Sequence, residues 1–146
     1  MMRPEILRTE AGQSSWPSPE KGSSMQIQNV RLSAEQLSSN KWRLTVRYNA
    51  VFDPVEVNPP LNFTFRDGFQ IWEDDPVNDD QLTGYVALSN FNPAGTVVQR
   101  VLSHDISGDT LDTEIGGEEI KVKLRLRNVN LNFAIHKWSG TISLAP

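Results

Sequence analysis

The sequence predicts an all-β domain, a two-sheet antiparallel sandwich of about seven strands, and three observations carry that prediction. The first is strict alternation from Trp42 to Phe52, where every even position is apolar and every odd position except Val51 is polar. The second is its echo from Ile120 to Arg127, with apolar even positions and a wet face of Lys121, Lys123, Arg125 and Arg127. Period two is the spacing at which strand side chains return to one face, so each segment covers a core on one side and meets water on the other. The third is punctuation: Ser38-Ser-Asn40, Asp53-Pro54, Asn58-Pro-Pro60, Asn78-Asp-Asp80, Asn92-Pro-Ala-Gly95 and Gly116-Gly117 fall between apolar runs.

Taken in order, the strand candidates are Met25 to Leu32, Lys41 to Phe52, Leu61 to Trp72, Tyr85 to Phe91, Thr96 to His104, Glu118 to Asn128 and Leu131 to Leu144. The third is apolar on odd positions, and Asp67-Gly68 in its middle predicts a bulge or break. The last changes phase near His136, because Leu131, Phe133 and Ile135 give way to Trp138, Ile142 and Leu144; a bulge or a turn at Ser139-Gly140 must intervene. Ser33 to Leu37 reads as a single helical turn capped by Ser33. Strand count suggests an immunoglobulin-like or fibronectin-like architecture, without the cysteine pair of antibody domains.

A chain of 146 residues suits one domain and needs no metal or disulfide to fold. Residues 1–24 hold serine and proline with too little apolar content to pack and read as a disordered N-terminal tail, leaving residues 25–146 as a single β-sandwich domain. Met25, where alternation begins, is equally readable as an alternative start. The absence of cysteine excludes disulfides, thiolate metal sites and cysteine nucleophiles. No signal-like or membrane-spanning apolar run is present, which points to the cytoplasm, and a net charge of −4 weighs against a general role on nucleic acid or anionic membrane.

Chemistry-bearing residues gather in three places. Most carboxylates after residue 24 fall in two loops, one with Glu73, Asp74, Asp75, Asp79 and Asp80, the other running from Asp105 to Glu119 with Asp109 and Asp112. Antiparallel connectivity puts both loops at one end of the sandwich, where crowded carboxylates form a ligand pool for calcium or stand as a solvated acidic rim. The basic row Lys121, Lys123, Arg125 and Arg127 offers a surface for an anion or an acidic partner, extended by Arg43 and Arg47 if their strand lies alongside, or simply covers a sheet face. Trp72 and Trp138 fall off the core phase of their strands and would suit sugar rings if exposed.

Enzyme signals are thin. Ser103, His104 and Asp105 alternate faces on one strand and cannot form a triad by themselves. The reading is therefore a noncatalytic binding or interaction module. Its alternatives are calcium-dependent ligand binding, carbohydrate included, through the acidic loops, and a hydrolase drawing its carboxylates from them. Partners are an unidentified protein or a second copy joined through edge strands.

Overall fold

The computed structural model describes residues 25–111 and 118–144, and the predicted tail lies outside them. Two antiparallel sheets face each other. The smaller has the order β1 (Gln26–Ser38), β2 (Lys41–Val51), β6 (Val97–Ser107). The larger is built on β3 (Phe65–Glu73) paired with β7 (Glu118–Asn128). Its outer positions are each shared by two short strands: β4 (Asp80–Gln81) and β5 (Val86–Phe91) on β3, β8 (Phe133–Trp138) and β9 (Ile142–Leu144) on β7. Two single helical turns, α1 (Pro54–Val57) and α2 (Gly108–Leu111), follow β2 and β6.

The alternating segments form the inner walls as predicted. Leu44, Val46, Tyr48, Ala50 and Phe52 are buried from the smaller sheet, and Ile120, Val122, Leu124 and Leu126 are fully buried from the larger. Phe65, Phe69 and Ile71 complete the opposing wall, and Phe52 meets Phe65 with ring centroids 4.3 Å apart. Each such side chain contributes roughly 1.5–3 kcal/mol by leaving water, so the packed walls outweigh any single polar contact.

Three local expectations need correction. Ser33 to Leu37 is not helical: β1 continues through Ser38, because Ser33, Ala34, Glu35 and Gln36 stay in register with Thr45, Leu44, Arg43 and Trp42. Cross-strand pairing overrides the capping signal. The third strand starts at Phe65 rather than Leu61, since Asp53 and Glu56 form a reciprocal cap on α1 and the chain after it runs as a connection. The bulge at Asp67-Gly68 lies in the partner strand: only Gly68 separates Asp67 from Phe69, whereas Ala87 and Leu88 separate their partners Val86 and Ser89. Ala87 takes the left-handed φ of 55° that accommodates the extra residue.

The phase change in the final segment resolves into the break between β8 and β9. There Ser139 substitutes for a strand, its backbone N–H donating to Val122 O at 2.9 Å and its Oγ accepting from Val122 N at 2.9 Å.

One polar cluster joins the sheets. Asp67 is fully buried, receives both Nε and Nη2 of Arg100 at 2.7 and 3.0 Å, and accepts the Tyr48 hydroxyl at 2.6 Å. Burial first, then the Asp67 charge, holds the Tyr48 phenol far above its ordinary range, so it remains a donor. The Arg100 guanidinium also lies 3.9 Å from the centroid of the Phe91 ring.

Candidate functional site

The outer face of the larger sheet gathers the predicted basic row and both off-phase tryptophans. Strand registry produces this. Lys121, Lys123, Arg125 and Arg127 alternate outward from β7; Trp72, Gln70, Gly68 and Arg66 stand opposite them on β3. On the other side, Trp138, His136 and Ala134 of β8 stand opposite Lys123, Arg125 and Arg127. Like-signed neighbours two residues apart on one strand are about 7 Å apart, so the row is self-repelling unless something offsets it.

Each cation meets the problem differently. Lys121 is held by Asp79 at 2.7 Å and Asp74 at 3.5 Å, which raises its proton affinity and lowers that of Asp79, in both cases chiefly through their hydrogen bond. Its ammonium also stands 4.8 Å from the centroid of the Trp138 ring, and Lys123 stands 5.8 Å from the same centroid. Arg125 stacks 3.9 Å from the centroid of Tyr85, while its Nε is buried without a hydrogen-bond partner. Arg127 bonds Asn132, and Arg66 donates to Asn90 at 2.6 Å. Among the described residues no carboxylate pairs with Lys123, Arg125, Arg127 or Arg66.

The rings border this row. Trp72 and Trp138 meet edge to face at 5.4 Å, with Trp72 Nε1 donating to Gln70 and Trp138 42% exposed. Tyr85 lies 6.4 Å from His136. Gly68 is what lets Leu88 and the Val86 carbonyl approach the sheet: a Cβ there would stand 2.7 Å from Leu88 Cδ2 and 3.0 Å from Val86 O. His136 has its proton affinity lowered by burial first, then by Lys123 and Arg125.

Arg43 and Arg47 do not extend the row, because β2 belongs to the other sheet. Arg43 instead makes a two-bond pair with Asp105 at 2.8 and 3.2 Å.

At the end of β3 the backbone N–H of Asp74 donates to Glu119 O of β7 at 2.8 Å, and residues 112–117 of the second acidic segment lie outside the described residues. The acidic side chains have different surroundings. Asp74 and Asp79 share Lys121; Asp75 accepts from Val77 N at 2.8 Å; Glu73 is buried. Asp80 sits on β4, Asp109 faces Asn40 at 3.4 Å, and Asp112 lies outside the described residues. Among the described residues no three histidine or carboxylate side chains converge so as to hold a metal ion.

Sequence reasoning missed Asp67 and Arg100. Both were signalled by phase: Asp67 interrupts the apolar odd positions of β3, and Arg100 falls between Val98 and Leu102 on the inward positions of β6.

No family model matches the chain, and no curated protein matches it. Among solved structures it is similar to Northeast Structural Genomics Consortium target SoR45, with TM-score 0.39 and 12% identity over 84% of this chain and 87% of that one. It is also similar to part of beta-glucosidase 3B from Thermotoga neapolitana, solved with glycerol, with TM-score 0.37 and 9% identity over 85% of this chain. The match spans 17% of the glucosidase chain. These likenesses assign neither a family nor an activity. No helix among the described residues is long and apolar enough to cross a membrane.

Proposed function

We propose that this immunoglobulin-like sandwich is a noncatalytic binding module that takes an acidic polysaccharide on the outer face of its larger sheet. The supporting observation is the row Lys123, Arg125 and Arg127, which lacks carboxylate partners among the described residues and is bordered by Trp138 and Tyr85. Carboxylate or sulfate groups along a glycan offset the repulsion within the row. Sugar rings use the apolar surface of an exposed indole while their hydroxyls bond the amides of Gln70 and Asn90 at the margin. Single-stranded nucleic acid fits less well. The edge-to-face tryptophans do not present two parallel platforms for successive bases.

Affinity chromatography and titration calorimetry with heparin test the proposal. The wild-type chain is expected to bind and to elute with salt, unchanged by a chelator, and Lys123→Glu with Arg125→Glu is expected to weaken binding at least about tenfold, or about 1.4 kcal/mol. Equal binding by the folded double variant contradicts the site. Dependence on added calcium returns the activity to the acidic loops, and stronger binding to oligothymidylate than to heparin overturns the polysaccharide assignment.

A further inference from the structure

Among the described residues, every open sheet edge but one carries a device that discourages pairing with another chain. β1 is shifted in register between Gln28 and Arg31 and again between Gln36 and Ser38. The outer positions of the larger sheet are divided between short strands: two and six residues on one side, six and three on the other. Edges left long and regular are templates for a further strand.

β6 is such an edge. It runs for 11 residues, pairs with β2 without a register shift from Lys41↔Ser107 to Val51↔Val97, and contains neither proline nor lysine. Its charged groups are already used within the chain, Arg100 by Asp67 and Asp105 by Arg43. The direction of its free backbone groups follows from two bonds at its ends. Phe52 N donates to Thr96 O at 2.8 Å and Gly108 N donates to Asn40 O at 2.9 Å, so even-numbered residues turn their backbone groups toward β2. Antiparallel residues alternate in this respect, and Val97, Gln99, Val101, Ser103, Asp105 and Ser107 therefore turn theirs outward. Val97 and Val101 are 59% and 58% exposed, high for strand valines.

We propose that β6 pairs antiparallel with β6 of a second copy of this chain, joining two smaller sheets into one across a two-fold axis at Val101. Only odd residues can exchange hydrogen bonds across this edge, so the permitted registers move the axis in single-residue steps. An axis at Arg100 opposes two arginines, and an axis at Leu102 sets Arg100 against His104 of the other copy. The axis at Val101 avoids both, places valine against valine, and puts Gln99 opposite Ser103. A two-fold axis closes the assembly at a dimer and consumes the exposed edge.

Light scattering and directed cross-linking test this pairing. The full chain is expected at twice its 16.4 kDa monomer mass, and Val101→Lys, which sets two ammonium groups on the axis, is expected to return it to monomer with unchanged circular dichroism. Because the chain has no cysteine, a single introduced thiol reports only on contact between copies. Residues paired across the axis lie about 5.5 Å apart at Cα, within disulfide reach, so Val101→Cys should oxidise to a covalent dimer. Ser103 and its copy would be separated by four residues of strand, about 13 Å. Ser103→Cys should therefore cross-link at least about tenfold more slowly, lacking the effective concentration of the paired site. A monomer at all concentrations, or cross-linking as fast at Ser103 as at Val101, overturns the proposal.

Discussion

Replacing Asp67 by alanine removes the acceptor for both Arg100 nitrogens and for the Tyr48 hydroxyl between the two sheets. The Arg100 side chain is only 18% exposed, so the freed guanidinium cannot recover full hydration without moving out from between the sheets. Removing one partner of a buried pair costs about 3–5 kcal/mol, a large part of the 5–15 kcal/mol that holds a typical domain folded. With a urea slope near 2 kcal/mol per molar, the unfolding midpoint should fall by roughly 2 M. Tryptophan fluorescence during urea titration measures it. Tyr48→Phe, Asp67→Leu and Arg100→Met together should recover most of the loss, because no uncompensated charge remains. A loss below about 1 kcal/mol for Asp67→Ala, the value of an exposed pair, would refute the assignment of this cluster as a buried connection between the sheets.

Gly68→Ala should destabilise by about 1–3 kcal/mol in the same assay, because Leu88 can swing aside but the Val86 carbonyl cannot; adding Leu88→Ala should recover only part. Ser139→Ala leaves the buried Val122 N–H without its acceptor and should cost about 1–3 kcal/mol by chemical denaturation. His136 takes up its proton less readily folded than unfolded, so its contribution to stability is complete above the ordinary value of 6.5 and declines as pH falls through the folded value. Anion binding favours the protonated ring, so heparin elution should need more salt as pH falls below 6.5, a trend that His136→Gln flattens.

Legibility followed distance along the chain. The strands from Trp42 and from Ile120 could be read closely because one periodic pattern decides both span and facing, and the break near His136 announced itself as a change of phase. Ser33 to Leu37 carries a local cap signal that says nothing of β2, whose pairing decides the conformation. The proposed binding face was half legible. The cations declared themselves by alternation on a single strand, but the order β3-β7-β8 that brings Trp72 and Trp138 beside them is a property of sheet topology, which no local pattern records. Asp67 and Arg100 were readable as polar residues in apolar phase; their meeting depended on how the sheets face each other.

Amide-shift mapping of the isotopically labelled protein during titration with a heparin oligosaccharide tests the proposed face most directly. Shifts are expected to concentrate at Tyr85, Lys123, Arg125, Arg127, His136 and Trp138, with the outward residues of β1, β2 and β6 unaffected. Shifts confined to the acidic loops or to the smaller sheet, or no shifts at all, would contradict it.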